Sequence, residues 1–129
     1  MRPYQRILGT VGTAAALTVM MGTNAWAEQD CYISAKNYYA SMVSFTAYGE
    51  KVNIIDQEAD GHSAVAIFDT NGGTPRTYTL WNSKGKGTNT LYDFDLAEGT
   101  PVVIQACVGE YGTKTVDWDS CGPYAFGEA

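Results

Sequence analysis

The chain has 129 residues, fourteen of them acidic and eight basic, and its formal net charge is −6. A compact acidic protein is repelled by phosphate backbones, so we expect no nucleic acid among its partners. The small number of lysine and arginine residues also argues against binding to anionic membrane surfaces.

The first 27 residues are typical of a secretory signal peptide. Arg2 and Arg6 form a positive n-region, an apolar run covers roughly Val11–Met21, and small residues flank Trp26 where a signal peptidase would cleave. The run is shorter than the roughly 20 residues of a membrane span. We therefore predict a secreted, extracellular protein with no membrane span in its mature chain. Cleavage would leave 102 residues, Glu28–Ala129, with a net charge of −8, which suits one domain.

Alternating polar and apolar residues predict seven short strands in the mature chain, and no segment keeps the 3.6-residue period of a helix. Glycine-rich turns separate the strands at even spacing, which is typical of a β-sandwich or a small barrel. We predict an all-β fold over residues 41–129, an antiparallel β-sandwich of about seven short strands, immunoglobulin-like in the broad sense. In chain order the predicted strands are 41–48, 51–56, 63–69, 76–81, 88–96, 101–108 and 113–118.

Residues 28–40, EQDCYISAKNYYA, show no clear alternation. They would form a flexible arm, a short helix near 35–40 or an extra edge strand, and we treat them as an N-terminal arm. Tyr32, Tyr38 and Tyr39 of this arm, with Tyr111 at a predicted turn, are side chains of the kind that anchor protein interfaces. They are the predicted contacts with a secreted protein partner.

All three cysteines, Cys31, Cys107 and Cys121, lie in the mature chain. A secreted domain with an odd number of cysteines is expected to have at least one disulfide and one thiol left over. Three pairings are possible. We favour Cys107–Cys121, because Cys107 lies on a predicted strand, Cys121 closely follows the next one, and a short turn joins the two strands. Cys31 would then be free, capped by a small molecule, or bridged to another chain.

The acidic stretch DQEADG, which starts at Asp56, begins like the calcium loop of an EF-hand. A complete loop needs a glutamate at its twelfth position, which is Ile67 here. An aspartate-glycine pair between two alternating runs instead favours a tight β-hairpin. In that hairpin Asp56 and Glu58 would lie on one solvent-facing side. The alternative is a calcium site formed by Asp56, Glu58 and Asp60.

The residue types do not favour catalysis. His62 is the only histidine, and its neighbour Ser63 would point to the opposite face of a strand, which separates a base from a nucleophile. One histidine without a close cysteine pair does not make the usual zinc sites. Alternating carboxylates such as Asp93 and Asp95 are typical of the outer face of a sandwich. We expect a non-enzymatic protein without a cofactor.

Two other functions stay open at the level of sequence. Trp81 and Trp118 lie near turns, where exposed aromatic rings can stack on sugars, and this would suit a carbohydrate- or cell-wall-binding module. Both are equally compatible with core positions. The loop over 71–75, NGGTP, would suit the exposed loop of a small secreted toxin or hydrolase inhibitor.

The segments AYGEKVNIID, DGHSAVAIF, LWNSKGKGT and LAEGTPVVIQAC together resemble a group of small secreted proteins from Streptomyces and related actinobacteria. The similarity covers most of the mature chain, residues 41–121. Some small secreted β-proteins of those bacteria are adaptor subunits of umbrella toxin particles, where an N-terminal extension plugs into a partner. The resemblance implies an adaptor in an extracellular antibacterial toxin assembly, with residues 28–40 as the connecting arm and no catalytic residues.

Overall fold

The computed structural model of the protein describes residues 28–70 and 77–129. The predicted signal peptide over 1–27 and the predicted loop over 71–75 lie outside the described residues, as does the first residue of the predicted strand 76–81. The described ranges form nine strands and a 3-10 turn at Trp118–Ser120. The strands are β1 (Cys31–Ser34), β2 (Met42–Thr46), β3 (Lys51–Asp56), β4 (Ser63–Thr70), β5 (Thr77–Asn82), β6 (Thr88–Asp93), β7 (Pro101–Glu110), β8 (Thr115–Asp117) and β9 (Tyr124–Glu128).

The strands form two antiparallel sheets that pack against each other. The front sheet has the order β1-β2-β3-β6. The back sheet has the order β5-β4-β7, with β8 and β9 both paired to the remaining edge of β7. The predicted all-β antiparallel sandwich is thereby confirmed.

Alternation of burial turns one face of each strand toward the core. In β3, Val52 and Ile54 are fully buried, whereas the intervening Asn53 is partly exposed. The ring of Phe68 in β4 lies with its centroid 5.9 Å from that of Phe45 and 4.7 Å from that of Phe94. Burying a side chain of this size stabilises the fold by about 1.5–3 kcal/mol. Packing of the core therefore fixes which face of each sheet points inward. Alternate residues of the front sheet are left on its outer surface.

Two strands add to the seven predicted ones. In β1, residues 31–34 pair with β2 from Cys31 opposite Phe45 to Ser34 opposite Met42. Of the three alternatives for residues 28–40, the structure has the edge strand, followed by a turn and no helix over 35–40. The second addition, β9, pairs with the first half of β7.

The predicted hairpin in the DQEADG stretch is wrong. β3 belongs to the front sheet and β4 to the back sheet, so residues 57–62 cross from one sheet to the other. Asp56 follows Val52 and Ile54 on the inward face and is only 1% exposed, so it does not lie on a solvent-facing side. The pattern of β3 contained this signal, because residues two apart in a strand share a face.

The first and last strands close one side of the sandwich. Backbone hydrogen bonds join Gln29 and Glu128 in both directions, with N–O distances of 2.9 and 3.0 Å. At the other end of β1, the amide of Lys36 donates to the carbonyl of Ser120 at 3.0 Å. We call this contact between the front and back sheets the β1–β9 seam.

The Cys107–Cys121 disulfide is present, as predicted, and belongs to a second, smaller core. Cys107 is buried with Val65 and Trp81 on the outer face of the back sheet. Val116 and Cys121 pack over this cluster. The disulfide therefore ties the segment after β8 to the centre of the back sheet.

Candidate functional site

An open apolar groove of about 220 Å³ lies on the outer face of the front sheet. Strands β1, β2 and β3 form its floor, and the turn between β1 and β2 forms one side. None of the described residues that line it is charged. We call it the tyrosine groove, and its lining residues are Tyr32, Ile33, Ser34, Tyr38, Met42, Val43, Ser44 and Ile55.

Strand register places the floor of the groove. Met42 lies between Ser34 of β1 and Ile55 of β3, and the three residues are directly opposite one another across the sheet. Each alternates with a buried neighbour, such as Val43 or Ile54, that faces the core. The same alternation that builds the core therefore leaves two apolar side chains, Met42 and Ile55, on the outer surface.

Two tyrosines form the walls. The side chain of Tyr32 is 77% exposed and that of Tyr38 is half exposed. The Tyr38 ring packs edge-to-face on Tyr39, with centroids 5.1 Å apart. Such aromatic pairs contribute about 0.5–1.5 kcal/mol beyond their buried area. The Tyr38 ring is therefore supported by Tyr39 while half of the side chain stays exposed.

The turn that carries Tyr38 is tied to the domain at several points. The amide of Ala35 donates to the carbonyl of Ser41 at 2.9 Å, and the amide of Gln57 donates to the carbonyl of Tyr39 at 2.8 Å. The hydroxyl of Ser41 donates in turn to the carbonyl of Val65 in the back sheet at 3.2 Å. A turn held in this way loses little conformational entropy on binding, which favours affinity.

The groove is suited to binding. Its volume is of the order of one large apolar side chain, the tyrosine hydroxyls supply hydrogen bonds at the rim, and the ring faces can accept a cation. None of the described residues that line it is an acid, a thiol or an imidazole. Its chemistry is therefore recognition through shape, apolar contact and aromatic faces.

The structure brings together three of the four predicted partner contacts. Tyr32 and Tyr38 both line the groove and Tyr39 packs on Tyr38, whereas Tyr111 lies at the β7–β8 turn of the back sheet. There its ring packs on Trp81, with centroids 5.7 Å apart, and the Lys114 ammonium lies 3.2 Å from the ring centroid. Tyr111 therefore covers the second core and is not part of the groove.

The two predicted sugar-stacking tryptophans have different environments. Trp81 is 8% exposed beneath Tyr111, so its prediction as a stacking platform is wrong. Trp118 is 63% exposed on the 3-10 turn, flanked by Asp117 and Asp119. It remains available at the surface as a separate aromatic position.

The acidic stretch after β3 does not gather ligands for an ion. One carboxylate oxygen of Asp56, Oδ1, accepts a hydrogen bond from the amide of Glu58 at 3.0 Å, and the other, Oδ2, is buried without a partner among the described residues. Burial raises the pKa of Asp56. Within residues 28–70 and 77–129, no group of three His, Cys, Asp or Glu side chains is arranged to hold a metal, and this covers the alternative calcium site of Asp56, Glu58 and Asp60.

Cys31 forms no disulfide and its side chain packs inward, against the core. Its sulfur lies next to Gly127 of β9 at the β1–β9 seam. Burial, reinforced by the charge of Asp30, raises the pKa of Cys31 to about 11. A thiol in this state is a poor nucleophile, and its inward orientation gives no support to the alternative of a bridge to another chain.

An ion pair between His62 and Glu110 was not predicted. Sequence gave no signal for it, because it follows from the pairing of Ser63 with Gly109 across β4 and β7. The Glu110 carboxylate bonds to the imidazole Nδ1 and raises the pKa of His62. Both side chains are about half exposed, so the pair belongs to the surface of the back sheet.

Sequence reasoning also missed the floor of the groove. Met42, Ser44 and Ile55 lie on predicted strands, at positions that alternate with core residues. Two large apolar side chains at positions that alternate with core residues are the signal that would have marked a surface for binding. The sequence pattern does not show that β1, β2 and β3 are neighbours in one sheet, and this arrangement is what brings their side chains onto one surface.

In the described part of the chain, no helix is long and apolar enough to cross a membrane. Comparison of the chain with models of known protein families, with curated proteins and with solved structures finds no match.

Proposed function

We propose that the protein is a secreted, non-enzymatic domain that binds another protein through the tyrosine groove. The observation that carries the proposal is an uncharged groove between two exposed tyrosines on paired strands and a well-anchored turn. Protein interfaces concentrate their binding energy in a few aromatic residues around a desolvated pocket. The groove offers that arrangement on one face of the front sheet.

The resemblance to small secreted actinobacterial proteins, some of which are adaptors, supports an adaptor role in an extracellular toxin assembly. In our proposal residues 28–40 take part as a strand and turn of the domain, since residues 31–34 are paired into the front sheet. They would contact the partner by presenting Tyr32 and Tyr38 at a surface. This differs from the insertion of a free N-terminal extension.

The test compares Tyr38→Ala with wild type as immobilised baits for proteins of the culture medium. We expect wild type to retain a stoichiometric partner, and Tyr38→Ala to bind it at least about thirtyfold more weakly, because hot-spot truncations cost about 2 kcal/mol or more. The matched control is Tyr111→Ala, which removes the same side chain outside the groove and should change the affinity less than about twofold. Circular dichroism and thermal melting confirm that the variants are folded.

Equal retention of the partner by Tyr38→Ala and wild type contradicts the proposal. The competing carbohydrate-binding function gives a different result. In that case a polysaccharide binds to the wild type, Trp118→Ala abolishes the binding, and Tyr38→Ala leaves it intact.

A further inference from the structure

The charge around the tyrosine groove indicates which partner it fits. The described residues contain all fourteen acidic side chains and only five lysines. Two of the lysines already have contacts: Lys51 pairs with Asp93 at 2.6 Å, and Lys114 covers the ring of Tyr111. A binding partner therefore meets a surface with an excess of carboxylates.

Residues 57–62, which link β3 to β4, contact Tyr39, the tyrosine that packs on Tyr38. The link after β3 is fixed there by the bond from the Gln57 amide to the Tyr39 carbonyl, at 2.8 Å. Asp56 is buried, whereas Glu58 and Asp60 of this link are partly exposed. Two partly exposed acidic residues therefore closely follow the contact between Gln57 and Tyr39, whose ring packs edge-to-face on Tyr38.

Resting on the proposed function, we infer that the groove binds a cationic peptide segment of the partner protein, in which lysine or arginine flanks one large apolar side chain. The apolar side chain enters the space over Met42 between Tyr32 and Tyr38. The flanking cation lies over a tyrosine ring and near Glu58 and Asp60. Cation–π contacts add about 0.5–1 kcal/mol at exposed sites, and carboxylates around an interface steer and select oppositely charged partners.

Lys36 carries a positive charge two residues before Tyr38. It lies on the turn between β1 and Tyr38, and its amide is bound to Ser120 at the β1–β9 seam. Its exposed ammonium would repel a cationic segment. This makes Lys36→Gln a variant that should improve binding, whereas neutralising the carboxylates should weaken it.

The experiment selects binders from a display library of random short peptides. Wild type is the bait, and the Tyr32→Ala/Tyr38→Ala double variant removes peptides that bind elsewhere. We expect the groove-dependent peptides to be enriched in lysine and arginine on both sides of a single large apolar residue. The recovered peptides then serve as probes for titrations.

For these peptides, the Glu58→Gln/Asp60→Asn double variant should bind about fivefold more weakly and Lys36→Gln about twofold more tightly, since each exposed charge pair contributes a fraction of a kcal/mol. Raising the salt from about 50 to about 500 mM should weaken binding several-fold. Asp60→Asn keeps an oxygen that can accept the hydrogen bond from the His62 amide. A loss of peptide affinity in the double variant is therefore due to the removed charges. Asp119→Asn, an exposed carboxylate on the 3-10 turn, is the control and should leave the affinity unchanged.

Two different failures are distinguishable. If groove-dependent peptides are recovered but are neutral or acidic, or bind Glu58→Gln/Asp60→Asn as tightly as wild type, the cationic partner is wrong and the proposed groove stands. If no recovered peptide depends on Tyr32 and Tyr38, the groove is not a protein-binding site and both proposals are overturned.

Discussion

Asp56 and Asn82 are two buried polar residues whose hydrogen bonding differs. The amide nitrogen of Asn82 donates to the carbonyls of Ile54 and Thr88 at 3.1 Å each, and its oxygen accepts from the amide of Lys84 at 3.0 Å. Asp56, by contrast, has one carboxylate oxygen, Oδ2, without a partner among the described residues. Burying a charged group without full hydrogen bonding lowers stability. Asn82 is therefore buried with its polar atoms hydrogen-bonded, whereas burial of the ionised Asp56 carboxylate lowers the free energy of unfolding.

Asp56→Asn should raise the free energy of unfolding at pH 7 by about 1 kcal/mol, because an amide is buried at lower cost than a carboxylate. The oxygen that accepts from the Glu58 amide is retained. Burial raises the pKa of Asp56 above its ordinary value of 3.8, so the folded wild type binds a proton more tightly than the unfolded chain. The penalty is full above the raised pKa and disappears as the pH falls toward 3.8.

Urea denaturation at pH 7 and at pH 4 measures the difference between the variant and wild type. We expect the advantage of Asp56→Asn to shrink markedly at the lower pH. Asp119→Asn, the same substitution at an exposed position, is the control and should change the free energy of unfolding at pH 7 by less than about 0.5 kcal/mol. An Asp56→Asn advantage that is absent at pH 7, or that grows on acidification, would contradict the assignment of a buried ionised carboxylate.

At the scale of the elements, the β1–β9 seam depends on the close approach of two backbones. A Cβ atom added to Gly122 would lie 2.0 Å from the carbonyl oxygen of Ser34, closer than any side-chain atom can come to backbone. The amide of Gly122 also donates to the carbonyl of Ala106 at 3.0 Å, which holds it against β7. Glycine is therefore required here to let β1 approach the back sheet.

Gly122→Ala should lower the free energy of unfolding by about 1–3 kcal/mol, the usual cost of forcing an extra carbon into a packed contact. The matched control is Gly112→Ala in the β7–β8 turn, where an added Cβ meets nothing within 4 Å. That control should stay within about 0.5 kcal/mol of wild type. Thermal melts of both variants decide the point, and equal melting temperatures would show that the seam accommodates a methyl group.

A strand was predictable from the sequence where its large apolar side chains point into the core. β3 has the predicted bounds, because Val52 and Ile54 alternate with partly exposed residues and face the core. β9 has the reverse pattern, with Tyr124 and Phe126 exposed and small residues inward, since Gly127 packs against β1. An alternation rule that places large apolar residues inside misses such a strand.

The tyrosines of the candidate site were predictable individually, but the surface that they form with the floor of the groove was not. Tyr32 and Tyr38 were identified as aromatic anchors, yet their position on one groove requires the register that sets Ser34, Met42 and Ile55 side by side. Register between strands is a long-range property that local patterns do not specify. The Asp60-Gly61 pair led to the wrong hairpin prediction for a related reason. It favours a turn but does not specify which sheet the next strand joins.

At the scale of the whole molecule, two cores share the stability of the domain. The main core lies between the sheets, and the second core covers the outer face of the back sheet around Val65 and Trp81. The disulfide joins Cys107 in the central strand β7 to Cys121 near β9 and closes a loop of 14 residues. A cross-link over a loop of this length stabilises mainly by restricting the unfolded chain.

Reduction of the disulfide should lower the free energy of unfolding by about 3 kcal/mol, the magnitude for a loop of this length. Urea denaturation with and without reductant measures the loss. A Cys107→Ala/Cys121→Ala variant should be insensitive to reductant, whereas Cys31→Ala should keep the full sensitivity. Sensitivity in the double variant, or none in wild type, would show that this disulfide does not contribute the stabilisation.

The paired backbone bonds of Gln29 and Glu128 also bear on how the fold forms and opens. They join residues from opposite ends of the described sequence, so their formation closes the longest loop in the domain and is expected late in folding. Contacts of this kind are also the first to open in local fluctuations of the native state. Because β1 carries Tyr32, a partner bound in the groove would hold this strand in place. Binding of the partner should therefore slow the hydrogen exchange of the Gln29 and Glu128 amides.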